Sequence, residues 1–220
     1  MDSNIQYGTA AHARQICAGL DLLYPDASCE LIHQSALQIL ISVILSAQCT
    51  DARVNLVTKS LFQKYRTAAD FANSTQEELE EAIHSTGFYH NKAKNIRACC
   101  RILVEKFNGE VPSTMEELLP LPGVGRKTAN CVLGTFFNIA DGVVVDTHVL
   151  RLSQRLGLSQ ETTPEKVEQD LMRIVPQDRW VKISHQLILH GRQVCMARNP
   201  KCGECLFNQC GETPAPGLPE

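Results

Sequence analysis

The chain has 220 residues, a net charge of −3 and a hydrophobic content of 44%. That length allows one large domain or two small ones around a sizeable core, and the ordinary apolar fraction excludes a disordered chain. No apolar run approaches the roughly 18 residues that span a bilayer, and Met1-Asp2-Ser3-Asn4 lacks the blocks of a secretory leader, so the sequence reads as an intracellular soluble protein.

Taken in order, the chain reads as helix after helix, with no sustained alternating pattern. Residues 9–23 form an amphipathic start, ended by Pro25. Residues 35–47 are almost wholly apolar and predict a central buried helix. Thr50 caps a helix running to about Tyr65. Ser74 with Glu77, and Ser113 with Glu116, read as capping boxes. Between them a longer helix spans about Asn91 to Phe107 and stops at Asn108-Gly109. Val143-Val144-Val145 is the one possible strand. Thr163-Pro164 is a cap-and-first-position pair opening a helix to about Ile174. A last helix runs from about Gln177 to His190 and ends at Gly191, and the tail from Thr213 is rich in Pro and Gly.

The stretch Leu121-Pro122-Gly123-Val124-Gly125-Arg126-Lys127-Thr128-Ala129 carries the chemistry. Pro122, Gly123 and Gly125 turn the chain sharply between two helices. The helix that follows starts near Gly125 or Arg126, and its first amides have no intrahelical partner, so they can hold a phosphate. Lys127 falls in that first turn, where the macrodipole disfavours its positive charge and partial burial would disfavour it further. A neutral lysine amine is a nucleophile. Asp146, between a β-branched run and Thr147-His148-Val149-Leu150, reads as an N-cap whose accepted amide bonds favour the carboxylate.

The slight net acidity speaks mildly against a nucleic-acid partner, but charge distribution outweighs the total. Arg192, Arg198 and Lys201 fall close together, as do Arg126 and Lys127, and Lys92, Lys94 and Arg97. Acids concentrate elsewhere, as in Glu77-Glu78-Leu79-Glu80-Glu81. A basic face on an acidic body is expected.

Six of the ten cysteines (Cys17, Cys29, Cys49, Cys99, Cys100, Cys131) are dispersed among apolar residues and read as small buried hydrophobes. The other four, Cys195, Cys202, Cys205 and Cys210, are compressed into one loop. Four thiolates suit tetrahedral Zn²⁺ or a [4Fe–4S] cube, and the spacing alone does not choose between them.

The hairpin and Val145-Asp146-Thr147-His148 closely resemble the endonuclease III family of helix-hairpin-helix DNA glycosylases. The resemblance continues in Leu45-Ser46-Ala47-Gln48-Cys49-Thr50-Asp51, Gly87-Phe88-Tyr89, Gly109-Glu110-Val111-Pro112 and Leu187-Ile188-Leu189-His190-Gly191-Arg192, covering roughly residues 30–210 in order. It implies an all-α fold of two helical domains flanking a DNA-binding cleft. One is a six-helix domain over residues 29–139, with its hairpin at about 119–138. The other, residues 1–28 with 140–220, holds a [4Fe–4S] cluster on the loop 195–210.

The implied activity is a bifunctional DNA glycosylase and AP lyase of base excision repair. It acts as a monomer on double-stranded DNA, in the cytoplasm or nucleoid of a bacterium or the nucleus of a eukaryote. Oxidised pyrimidines of the thymine glycol type are its substrates. The resemblance makes Lys127 the Schiff-base nucleophile and Asp146 the carboxylate that stabilises charge on the sugar. Cys195, Cys202, Cys205 and Cys210 become the cluster ligands, although the last gap is four residues here and usually five in the family. Gln48 and Phe88 correspond to residues that fill the space left by the extruded base; the family often has Leu where Phe88 stands. Gly123, Gly125, Arg126, Thr128, His148, Arg198 and Lys201 are the further expected DNA contacts. Adenine-specific relatives lack a lysine at the position of Lys127. The alternatives are a non-catalytic helix-hairpin-helix DNA-binding protein, a related glycosylase for mismatched thymine or pyrimidine dimers, and a zinc-stabilised DNA-binding protein.

Overall fold

The computed structural model describes residues 8–207. Among them every regular element is helical: α1 (Ala10–Leu23), α2 (Ala36–Ser46), α3 (Asp51–Lys64), α4 (Ala68–Asn73), α5 (Gln76–Ile83), α6 (Tyr89–Phe107), α7 (Met115–Leu118), α8 (Arg126–Phe136), α9 (Thr147–Arg155), α10 (Pro164–Ile174) and α11 (Trp180–Gln193). No helix among the described residues is long and apolar enough to cross a membrane. The chain divides into two compact units, Cys29–Asp141 and the segments flanking it on both sides.

The unit Cys29–Asp141 contains α2–α8. Its core gathers Ile39, Leu40 and Leu45 of α2 with Phe71, Leu79, Ile96, Leu103, Leu118 and Val132. α2 is apolar on nearly all sides because neighbours cover it from several directions, and it packs against α3, α6 and α8. The helix starts are set by side-chain caps. Thr50 accepts the Arg53 amide at 3.3 Å. Thr67 and Asp70 form a reciprocal capping box that opens α4, a helix the sequence reading passed over.

Two expected boxes lie one residue further along. Thr75 with Glu78, not Ser74 with Glu77, opens α5, because Ser74 is buried and its hydroxyl donates to the Phe71 carbonyl at 2.7 Å. Thr114, not Ser113, caps α7 and hydrogen-bonds Glu117 at 2.7 Å.

The dispersed cysteines are not uniformly buried. Cys17, Cys99 and Cys100 are, and burial pushes the Cys99 thiol up to about 12, which keeps it inert. Cys29, Cys49 and Cys131 are only partly covered. Cys131 Sγ lies 3.8 Å from Thr135 Oγ1.

The other unit contains α1 and α9–α11 around Leu20, Val149, Leu152, Val167, Leu171, Ile183 and Leu187. Val143-Val144-Val145 forms no strand. Val143 and Val145 enter this core, and the Val144 amide donates to Ser184 Oγ at 3.1 Å. The last helix is a short 3₁₀ turn, Gln177–Arg179, followed by α11, which continues past Gly191 to Gln193. Gly191 is therefore no stop. A Cβ there would lie 2.9 Å from His148 Nδ1, so glycine lets α9 approach α11 closely.

Asp21 of α1 accepts from Arg179 at 2.7 Å, Gln186 at 2.9 Å and Lys182 at 3.2 Å, tying α1 to α11 and the turn before it. The hydrogen bond from Arg179 is the chief reason its carboxyl stays well below the usual carboxylate range. A depressed folded-state pKa means the ionised form stabilises the fold. That stability is present above the unfolded pKa of about 4 and is lost as pH falls through the folded value. Asp21→Asn is therefore expected to lower the Tm at neutral pH. The gap between the two proteins should narrow as pH drops from about 4 to 2 in thermal melts followed by circular dichroism; a gap that widens on acidification contradicts this role.

Candidate active site and cysteine loop

The hairpin turn joins α7 to α8. Leu121 donates to the Leu118 carbonyl and Val124 to the Leu121 carbonyl, each at 3.0 Å. Gly123 stands at φ 80°, a left-handed conformation that favours glycine, and a Cβ there would meet Asn95 Cβ of α6 at 3.0 Å. Gly125 is the N-cap of α8 in extended backbone, with open space where a Cβ would project. No side chain caps α8. Its first turn, with Arg126, Lys127 and Thr128, thus presents backbone donors at the positive end of a helix dipole. Lys127 and Arg126 are exposed and Thr128 is half-buried. Lys127 stands in solvent because the second position of α8 faces away from Ala129, Val132 and Leu133, which fill the core.

Gln48 and Phe88 lie in the same unit, in the loop after α2 and at the start of α6. Both are exposed and both adopt left-handed backbone, at φ 53° and φ 48°. For non-glycine residues that conformation costs about 1–2 kcal/mol each. Phe88 is 63% exposed, a large apolar ring held in solvent on a fixed backbone. The basic segment Lys92-Lys94-Arg97 does not form a solvated face. Lys92 is buried, and Arg97 donates to the Ser74 carbonyl at 2.9 Å and to Gln76 at 3.2 Å. A cavity lined in part by Ser35, Arg66, Val104, Phe136 and Phe137 opens at the far end of α8 from the hairpin and adjoins none of these residues.

In the other unit, Asp146 caps α9. Its Oδ1 accepts the amides of His148 and Val149, both at 2.8 Å, and the side chain is only half-buried. His148 Nδ1 lies 3.2 Å from Arg151 Nη2, and burial lowers its pKa, so His148 is held by the fold as well as standing beside Asp146.

The cysteine loop hangs from α9 by two arginines. Arg151 donates to the carbonyls of Gly191 and Cys195, both at 3.0 Å. Arg155 reaches Cys195 Sγ at 3.4 Å and the carbonyls of Met196 and Ala197 at 2.8 and 3.2 Å. Sequence reading missed both arginines; their spacing of four on one face of α9 is the signal that could have found them.

The donor set suits a thiolate-held metal centre. Cys195 is buried under Arg155, and Cys205 Sγ accepts the Phe207 amide and lies 3.4 Å from His190 Nε2. Such N–H···S bonds stabilise thiolates and tune what they hold. Cys202 is exposed, Cys205 is half-buried, and Cys210 lies outside the described residues. Arg198 and Lys201 are exposed, with Lys201 loosely paired to Glu204 at 3.9 Å.

A glycine-hinged turn into an uncapped helix bearing a lysine, a capping aspartate and an arginine-braced cysteine loop together define a helix-hairpin-helix protein with a metal-binding loop. Residues 41–177 match the HhH-GPD superfamily of base excision DNA repair proteins, and residues 195–209 match the iron–sulfur binding domain of endonuclease III. The chain belongs to the endonuclease III family. It is 58% identical to Endonuclease III of Synechocystis, over 88% of each chain, and 43% identical to that of Escherichia coli, over 86% of this chain and 89% of the other. A solved structure described as a non-covalent Endonuclease III-DNA complex superposes with a TM-score of 0.88 at 46% identity, covering 92% of this chain and 94% of the other. A trapped Endonuclease III-DNA covalent intermediate superposes at 0.86 and 46%, covering 90% and 93%.

Arg155→Met removes every hydrogen bond from that guanidinium to the loop. Purified variant protein is expected to lose its iron faster than the natural protein when a chelator is added, read as decay of visible absorbance; equal rates would show that the arginine does not brace the site.

Proposed function

We propose that the chain is a bifunctional DNA glycosylase and AP lyase of base excision repair that removes oxidised pyrimidines of the thymine glycol type from double-stranded DNA. The observation that carries this reading is Lys127. It is an exposed amine in the uncapped first turn of α8, directly after a turn built to let backbone approach phosphate. Membership of the endonuclease III family and the likeness to its trapped covalent DNA complex support it.

Extruding a base costs a few kcal/mol, least when the base is damaged or poorly paired. Gln48 hydrogen-bonds the orphaned partner base and Phe88 inserts as an apolar wedge. The amides after Gly123 and Gly125, with Arg126 and Thr128, hold the phosphate backbone, and His148, Arg198 and Lys201 add contacts to it.

Lys127 Nζ attacks C1′ as the glycosidic bond breaks and the base departs with a proton. The C1′–O4′ bond of the aminal then opens, O4′ taking a proton, to leave an iminium between C1′ and Nζ. The iminium withdraws electrons, so loss of a C2′ proton expels the 3′ phosphate by β-elimination. Asp146, free to accept more than its two amide bonds, stabilises positive charge on the sugar and takes up protons in the same sequence. A [4Fe–4S] cluster is the cofactor, held by Cys195, Cys202, Cys205 and Cys210. Its part is to order the loop that carries Arg198 and Lys201.

Lys127→Ala is expected to abolish strand cleavage and borohydride trapping on a thymine glycol duplex while retaining most of the binding to an uncleavable abasic analogue. Retained cleavage would remove Lys127 from the chemistry. An adduct on an abasic duplex but none on thymine glycol would keep the lyase and exclude that base. Binding without any adduct in the natural protein would make the chain a non-catalytic module.

A further inference from the structure

Lys92 is a buried lysine that the proposed chemistry does not use. It lies in the first turn of α6, 4% exposed, and its ammonium makes two hydrogen bonds to backbone. One goes to the Leu45 carbonyl at 2.8 Å, the other to the Thr86 carbonyl at 2.9 Å. Leu45 is in the last turn of α2, and Thr86 ends the 3₁₀ turn His84–Thr86. Both residues are buried, so water cannot easily replace the lysine as donor. The ammonium therefore closes the carbonyl ends of two helical segments at once, where the local dipoles favour a cation.

The chain beyond those two carbonyls matters. Three residues after Leu45 comes Gln48, and two residues after Thr86 comes Phe88, both in left-handed backbone. A residue holds such a conformation only where its surroundings over-determine it. One ammonium anchors both loops immediately before the strained residues, and so fixes the separation of the two side chains.

We infer that Lys92 is a positioning residue, which sets Gln48 and Phe88 at the spacing needed to enter a duplex as a pair. The inference rests on the wedge role given above to those two residues. A neutral side chain of similar shape would leave two buried carbonyls without donors and let the loops move independently. Only steps that need both wedges in register would suffer. Attack on a sugar that is already unpaired would not.

The test compares borohydride trapping on two DNAs: a duplex with one thymine glycol, and a single strand with one preformed abasic site, where there is no base to extrude and no partner to contact. For Lys92→Met, trapping on the duplex is expected to fall by about tenfold to a hundredfold, while trapping on the single strand stays within about twofold of the natural protein. Gln48→Ala and Phe88→Ala, run alongside, are expected to show the same selective loss.

If the two wedge variants lose duplex trapping selectively and Lys92→Met does not, the inference is wrong and the wedge reading stands. If neither wedge variant alters the ratio between the DNAs, the wedge reading falls and this inference falls with it. An equal loss on both DNAs for Lys92→Met would show a merely structural lysine. Should Lys92→Met not fold, Lys92→Gln is measured in its place, and failure of both to fold counts against the inference.

Discussion

An α-helix leaves its first amides and last carbonyls without intrahelical partners, and burying such a group unpaired costs its full desolvation. Several helix starts in this chain are sealed by side chains: Thr50 on α3, Thr67 on α4, Thr75 on α5 and Thr114 on α7. The start of α8 is not, because Gly125 has no side chain with which to close it. Donors kept open in this way cost little only where solvent or a ligand can reach them, and the exposure of Arg126 and Lys127 meets that condition. The start of α9 is intermediate. Asp146 caps it through one carboxylate oxygen, and half-burial keeps the group within reach of another partner.

The cysteine loop obeys the same constraint by different means. Among the described residues it has only a short 3₁₀ turn of its own, Cys202–Glu204, so the backbone there must find partners elsewhere. Arg151 and Arg155 supply them, reaching the carbonyls of Cys195, Met196 and Ala197 from α9. The helix whose first residue follows Asp146 thus also carries the braces of the metal-binding loop. Gly191 suits this arrangement, since a Cβ there would lie 2.9 Å from His148 Nδ1 and 3.1 Å from Arg151 Nη2.

Much of this was legible in the residues. The all-helical reading, the buried α2, the Thr50 cap, the Thr163-Pro164 start and the hairpin depend on local spacing, which sequence carries directly. The misses came where tertiary contacts decide between equivalent local choices. Ser74 and Thr75 each have a glutamate three residues on, and only the burial of Ser74, with its hydroxyl on Phe71, assigns the cap to Thr75. Gly191 looks like a stop until α9 is packed against it. Lys92 reads as part of a basic segment, although its spacing from Ile96, Cys99, Cys100 and Leu103 places it on the buried face of α6. A charge at a core position was the available signal. Lys127, by contrast, stands in solvent at the hairpin.

In the proposed reaction the open end of α8 is where the chain becomes covalently joined to DNA. Reducing the protein with borohydride in the presence of an abasic duplex, then digesting the adduct and locating the modified lysine by mass spectrometry, tests it most directly. The account predicts the sugar remnant on Lys127. Modification of another lysine, or of the chain's terminal amine, with Lys127 left unmodified, would contradict it.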